Sequence, residues 1–151
     1  VYDSYERLCK RLEPETGATF LDYDNAGNLA WSAEGSGLTG SSCDRSAVPA
    51  SQRITRSYDA QDRLTAINYP GTSADTTYSY TPDGLLSSVA ADSSTWSYSY
   101  NRLRLLTGET LGVDSQSFRF SRSYNSLGQQ TRQKPQPEDQ QSADTYGTQD
   151  N

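Results

Sequence analysis

One seven-residue phrase recurs along this chain, and its spacing limits what the chain can fold into. The clearest copy is Tyr58-Asp59-Ala60-Gln61-Asp62-Arg63-Leu64. Tyr23-Asp24-Asn25-Ala26-Gly27-Asn28-Leu29 and Tyr80-Thr81-Pro82-Asp83-Gly84-Leu85-Leu86 restate it, and Tyr2-Asp3-Ser4-Tyr5-Glu6-Arg7-Leu8 opens the chain with it. Tyr100 to Leu106 and Tyr124 to Gln130 are worn copies. The lead tyrosines stand at 2, 23, 58, 80, 100 and 124, in steps of 21, 35, 22, 20 and 24 residues. A period of this size marks an array of one small supersecondary unit, stabilised by stacking on its neighbours. Such a chain builds a surface rather than a deep pocket.

The residues before each lead tyrosine alternate. Trp96, Tyr98 and Tyr100 are separated by Ser97 and Ser99; Phe118, Phe120, Arg122 and Tyr124 by Arg119, Ser121 and Ser123; Ile54, Arg56 and Tyr58 keep the same beat. Period two with aromatics on one side predicts half-buried strands. Turn formers follow the tyrosine: Asn25-Ala26-Gly27, Pro82-Asp83-Gly84 and Ser126-Leu127-Gly128. A second short apolar segment comes next, as in Leu64-Thr65-Ala66-Ile67 or Leu86-Ser87-Ser88-Val89, and then a looser turn at Tyr69-Pro70-Gly71 or Ala91-Asp92-Ser93-Ser94. Each unit therefore reads as strand, tight turn, strand, loose turn, and the array as tandem antiparallel β-hairpins paired edge to edge. The lead tyrosines line one face with the leucines between them, where cross-strand aromatic–aliphatic pairs contribute about 0.2–1 kcal/mol each.

Composition agrees. Only 32% of the 151 residues are hydrophobic and mean hydropathy is −0.85, too little for a thick globular core. Yet the chain holds 11 Tyr, 3 Phe and 2 Trp, more aromatic content than disordered chains carry. Net charge is −6, so a nucleic-acid partner is not expected; phosphate binding needs clustered Lys and Arg. No apolar run approaches the ~18 residues of a membrane span. Val1-Tyr2-Asp3 starts inside a repeat, and Tyr146-Gly147-Thr148-Gln149-Asp150-Asn151 looks like a truncated further copy. The chain thus reads as a piece of a longer array, and a missing signal peptide says nothing about localisation.

Three stretches break the pattern. Residues 35–51 form an insertion in the 35-residue step; its Gly35-Ser36-Gly37-Leu38-Thr39-Gly40-Ser41-Ser42 stretch is flexible by composition and is expected to project from the sheet edge. Gln129 to Ala143 lacks apolar alternation and contains Pro135 and Pro137, so it reads as a loop or a poorly formed repeat; the repeat array spans 1–134, and 135–151 is a loop or linker leading into the truncated further copy. Cys9 and Cys43 are a candidate disulfide. It would pin the insertion to the sheet and close 34 residues, stabilising by about 3–4 kcal/mol on the chain-entropy model. The alternative is two free thiols, one buried and one exposed.

The phrase Tyr-Asp-x-x-Gly-x-Leu at this period resembles the YD repeat of the Rhs family, over roughly residues 1 to 134. The resemblance implies bacterial polymorphic toxins, insecticidal toxin-complex components and, more distantly, animal teneurins. It implies a sheet strip that curves into a hollow shell around a C-terminal toxin domain, secreted or delivered outside the bacterial cell. The chain departs from a full member in two ways. It carries no toxin domain, and no Asp-Pro pair occurs in it, so the family's self-cleavage cannot be assigned to any of its residues.

Little in the sequence points to catalysis. There is no histidine, which removes Ser–His–Asp, Cys–His and His-containing metal sites, and two cysteines cannot build a four-thiolate zinc site. Asp22-Tyr23-Asp24-Asn25-Ala26-Gly27 begins like a calcium loop, but position five is alanine and position twelve is Ala33 rather than glutamate, so a repeat turn explains it better. The pairs Asp59 with Asp62 and Asp22 with Asp24 likewise sit at turn positions. The expectation is a structural fragment of a YD-repeat shell enclosing a toxin, without enzyme activity or cofactor, whose partners are adjoining repeats and the toxin domain. Open sheet edges invite self-association. The alternative is a surface adhesion or recognition module, in which Trp96, Tyr98, Tyr100, Phe118, Phe120 and Tyr124 stack on sugars instead of packing.

Overall fold

The computed structural model describes residues 1–71 and 74–137. The expected truncated repeat at Tyr146 lies outside them. Among the described residues there are eleven β-strands, two short 3-10 turns and no α-helix. The strands are β1 (Lys10–Glu13), β2 (Gly17–Tyr23), β3 (Leu29–Ser36), β4 (Ile54–Tyr58), β5 (Leu64–Asn68), β6 (Thr76–Tyr80), β7 (Leu86–Ala91), β8 (Ser94–Tyr100), β9 (Leu106–Val113), β10 (Gln116–Tyr124) and β11 (Gln130–Pro137). The fold is all-β, in tandem antiparallel hairpins, as the phrase spacing predicts.

The chain divides into two compact units, Val1–Thr77 and Tyr78–Asn151. In the first, β1 through β5 pair each with the next, all antiparallel, and the start of β6 adds to β5 through Ala66 opposite Thr77. In the second, β7 through β11 do the same. Neighbours in sequence are neighbours in the sheet, which is the cheapest topology for a chain of hairpins.

Register identifies the faces. In the first unit Phe20 stands opposite Ala33 and Asp22 opposite Trp31, on one face, while Leu21, Ser32 and Ile54 share the other with Tyr23. In the second unit Trp96, Leu111 and Phe118 form one cross-strand row, and Tyr98, Glu109 and Phe120 the next. The reverse face of the same strands is small and polar: Ser97, Thr110 and Arg119, then Ser99, Gly108 and Ser121. A Cβ at Gly108 would come within 2.6 Å of the Ser99 hydroxyl, which would have to turn aside to admit it.

Three details differ from the sequence reading. First, the turns expected to be loose are tight where the strands are long. Ala91 pairs with Ser94 and Val113 with Gln116, leaving two-residue turns with Asp92 and Asp114 at φ 51° and 52°. Aspartate tolerates the left-handed region better than most residues, so two-residue turns form without glycine. Second, of the two readings of this stretch, loop or poorly formed repeat, Gln130–Pro137 takes the second: it is strand β11, paired to β10 from Tyr124–Gln130 to Phe118–Pro137, so pairing continues beyond residue 134. A strand at the end of a pairing order tolerates proline wherever the missing N–H would face away from its partner. Pro135 and Pro137 are two residues apart and so fall on the same side of the strand.

Third, the insertion does not project. Residues 37–53 fold back as a lid over the Phe20–Trp31 face of the first unit. The lid contains both 3-10 turns, Arg45–Ala47 and Ala50–Gln52. Its Val48 is 2% exposed and completes a small core with Ala18, Phe20, Trp31 and Ala33; Ala30 and Leu38 pack against it. Composition pointed to flexibility because it weighed glycine and serine over one buried valine. By contrast Trp96, Phe118 and Phe120 of the second unit remain 39%, 48% and 37% exposed.

Phe20→Ala should therefore cost about 3–5 kcal/mol by opening a cavity under the lid. Phe118→Ala, on a half-open sheet face, should cost about 1 kcal/mol or less. Urea denaturation followed by tryptophan fluorescence checks both.

Candidate functional site

The unit of this molecule is the turn that follows each lead tyrosine, and all six copies build it alike. The second residue of the phrase uses a side-chain oxygen to hold the turn. Asp3 Oδ1 accepts from the N–H groups of Tyr5 and Arg7 at 3.0 Å each. Asp24 Oδ1 accepts from Ala26 and Asn28, and Asp59 Oδ1 from Gln61 and Arg63. Asn101 and Asn125 repeat the pair of bonds with an amide oxygen. Thr81 gives one such bond, from Leu85 N–H to its hydroxyl at 2.9 Å. Main-chain bonds close the same ring: Asp24 N–H to Asn28 C=O and Gly27 N–H to Asp24 C=O, with counterparts in every copy.

This is why the phrase begins Tyr-Asp or Tyr-Asn and why its fifth position matters. Short oxygen-bearing side chains bond their own backbone two and four residues on. The fifth residue then sits at positive φ: 90° at Gly27, 88° at Gly84, 76° at Gly128, but also 61° at Glu6, 58° at Asp62 and 63° at Arg104. Glycine takes this conformation freely, while Glu6 and Arg104 accept about 1–2 kcal/mol of strain that the rest of the turn offsets. A type I turn ending in a left-handed residue carries a bulge. The register shifts accordingly: Tyr23 pairs Leu29 while Asp22 pairs Trp31, and the same slip recurs at Tyr58–Leu64, Tyr100–Leu106 and Tyr124–Gln130.

The lead tyrosine does more than pack. Its hydroxyl donates to the main-chain carbonyl of the seventh residue of the preceding copy. The bonds run from Tyr23 to Leu8 at 3.0 Å, Tyr58 to Leu29 at 3.1 Å, Tyr100 to Leu86 at 2.8 Å and Tyr124 to Leu106 at 2.7 Å. Bulges interrupt the ladder and leave backbone groups in need of partners. The phenol reaches over from the next unit and fills that need, so tyrosine and leucine positions are linked by a staple, not only by apolar contact. Burial, with Tyr98, Glu109 and Asp83 nearby, raises the Tyr100 phenol above its usual value, keeping it in the protonated form that can donate.

The turn carboxylates are held ionised. At Asp3 burial works to raise the carboxyl. The N–H groups of Arg7 and Tyr5 and the guanidiniums of Arg45 and Arg7 outweigh it and hold Asp3 well below the usual range. The Arg63 side chain is the main cause of the lowered Asp59. At Asp24 burial again opposes, and the Asn28 backbone and side-chain bonds prevail. The acidic pairs singled out in the sequence are thus spent on structure. Asp22 accepts from Trp31 Nε1 at 3.0 Å and pairs with Arg45 at 3.2 Å; Asp62 accepts from Asn28 at 2.9 Å, which joins adjacent turns.

The lid is anchored at three kinds of point. Cys9 and Cys43 form the expected disulfide, with Cα atoms 5.4 Å apart. Lys10 is fully buried, and its ammonium donates to Gly40 C=O at 2.8 Å and pairs with Asp44 at 3.3 Å, 5.0 Å from the Phe20 ring centroid. A buried ammonium is tolerable only with such partners. Arg45 donates to Leu21 C=O at 2.8 Å and to Asp3 at 3.0 Å, and Arg53 lies 4.2 Å over the Trp31 ring. Nothing in the sequence period marks Lys10, Arg45 or Arg53; the one available hint was that Lys10 adjoins Cys9. In the second unit Arg122 donates to Glu109 at 2.7 Å between the exposed rings of that face.

No protein-family model matches the chain, and no curated protein matches it significantly. Solved structures do match. A segment of a chain in the crystal structure of TcdB2-TccC3-Cdc42 superposes with a TM-score of 0.64 at 18% identity, over 86% of this chain and 6% of that one. The crystal structure of TcdB2-TccC3-TEV matches with a TM-score of 0.48 at 18% identity, over 91% of this chain and 9% of that one. The Photorhabdus luminescens Tc holotoxin pore with the TccC3-D651A mutation matches at 0.49 and 20%, again over 91% and 9%. The first of these establishes a shared fold. The chain spans less than a tenth of the length of each.

Two outcomes follow from the staple and the turn. Tyr58→Phe keeps the ring but leaves Leu29 C=O without its phenol, and should lower stability by about 0.5–1.5 kcal/mol in urea titrations. Because Asp3, Asp24 and Asp59 are depressed in the folded state, their contribution is present above the unfolded value near 4 and is lost as pH falls below it. Melting temperature should drop on acidification below about pH 4. Asp59→Asn, which keeps the turn acceptor, should flatten that acid limb, whereas Asp59→Ala should destabilise at neutral pH as well.

Proposed function

We propose that this chain is a stretch of wall from an Rhs-type YD-repeat shell, and that its work is containment of a toxin domain until delivery outside the producing cell. The observation that carries the reading is the staple: the repeats led by Tyr23, Tyr58, Tyr100 and Tyr124 are each tied to the preceding copy by a phenol–carbonyl bond in addition to the strand ladder. The repeat phrase resembles the YD repeat, and the fold is shared with a segment of TcdB2-TccC3. A one-sheet wall needs neither a thick core nor a reactive centre. The 32% hydrophobic content and the absence of histidine fit that role. The proposed partners are neighbouring repeats and an enclosed cargo; the proposed role involves no catalytic step and no cofactor.

A second reading has one observation in its favour. Trp96, Phe118 and Phe120 lie half exposed on one face of the second unit, where sugar rings could stack. On that reading the array is an adhesion or glycan-recognition surface.

Expression of the complete product of the parent gene separates the two. A hollow particle in electron microscopy, with a protease-resistant internal domain, is the expected result. An open rod with every domain cleaved at the same rate, together with binding on a glycan array that Trp96→Ala abolishes, would replace containment with recognition.

A further inference from the structure

We infer that the Cys9–Cys43 disulfide is a redox latch on half of the lid. Reduction by a small thiol or dithiol releases 37–43 and uncovers the Lys10 ammonium, while 44–53 stays docked. This inference stands on the first unit alone and does not depend on the shell reading.

The two halves of the lid are held differently. Residues 44–53 carry their own anchors: Val48 in the core, Arg45 on Leu21 C=O and the carboxylates of Asp3 and Asp22, and Arg53 over Trp31 with bonds to the carbonyls of Val48 and Arg45. None of these passes through the disulfide. Residues 37–43 read Gly-Leu-Thr-Gly-Ser-Ser-Cys, a stretch with much conformational freedom to regain. Across to the sheet it is held by the disulfide, the Lys10 bond to Gly40 C=O, a long Cys43 Sγ contact to Tyr2 C=O and partial packing of Leu38; its other bonds, Leu38 N–H to Ser36 Oγ and Ser42 Oγ to Asp44, are local and span two residues each. Chain order couples the first two. Lys10 follows Cys9 and Asp44 follows Cys43, so the covalent bond holds the ammonium against both acceptors. Without it, Gly40 moves off, and an ammonium left with one partly exposed carboxylate gains more from water than from burial.

The exchange is chemically open at one sulfur. Cys9 is fully buried and Cys43 is only partly so. A reductant thiolate attacks Cys43 Sγ, forming a mixed disulfide and expelling Cys9 as thiolate, which takes up a proton. A second reductant thiol resolves the mixed disulfide. Two electrons leave the reductant, which ends as its own disulfide, and both protein sulfurs end as thiols. The freed Cys9 thiol has an acceptor in place, since its Sγ lies 3.4 Å from Val1 C=O.

The chain supplies its own control, because it contains two lysines, Lys10 and the exposed Lys134 of β11. The test is acetylation of the intact chain by a water-soluble N-hydroxysuccinimide ester, with and without dithiothreitol, read by peptide mass spectrometry alongside amide hydrogen exchange. The double variant Cys9→Ser/Cys43→Ser is run without reductant. We expect Lys10 labelling to rise at least about tenfold on reduction and in the variant, with Lys134 unchanged and faster exchange confined to 37–43. Continued protection of Lys10 in the reduced chain would show the lid closed by its non-covalent contacts and overturn the latch. Loss of protection across 44–53, β2 and β3 together with Lys10 would overturn it too, making the bond a staple of the whole unit.

Discussion

A main-chain carbonyl at the end of one repeat, bonded by the phenol hydroxyl of the next, is the interaction on which this architecture rests. The left-handed residue at the fifth phrase position creates the bulge. The bulge displaces the ladder by one residue beside the pair that contains the leucine, and the leucine's main-chain oxygen accepts the phenol of the following copy. Phenylalanine would fill the same space and leave that oxygen unanswered. Tyrosine spans the gap between units because its donor sits at the end of a rigid ring. The choice of Tyr over Phe at positions 23, 58, 100 and 124 therefore has a local physical cause.

The turn chemistry shows how several residue types meet one requirement. Asp, Asn and Thr all place an oxygen over the same backbone N–H groups, which is why copies that look worn in sequence keep the geometry. Aspartate adds a charge that a neighbouring arginine can use, as Arg63 does with Asp59 and Arg45 with Asp3. Asparagine gives the turn alone. Degeneracy at the level of residues thus hides uniformity at the level of hydrogen bonds.

What was legible in the sequence was whatever the period repeats. Period-two alternation before each tyrosine and turn residues after it gave hairpins in the observed order. The spacing of Cys9 and Cys43 allowed the disulfide without deciding it. The lid was not legible as a lid, because its docking depends on single residues with no periodic counterpart: Val48, Arg45, Arg53 and the buried Lys10. Strand β11 was legible only as one of two alternatives, because two prolines argue against a central strand; among the described residues it pairs with β10 alone, where proline is better tolerated. The phenol–carbonyl bonds left no composition signature distinct from packing; the recurrence of Tyr where Phe would serve an apolar stripe was the trace they did leave.

Since the acceptor of each inter-unit bond belongs to the main chain, the residue occupying that place is under little constraint from it. Gln130 stands where other copies have leucine, and β11 forms all the same. An array of this design can lengthen by tandem duplication of its gene segment, for a new copy arrives already matched to its predecessor. Growth by copying, with later drift at side chains the backbone does not consult, is a property written into the position of one oxygen atom.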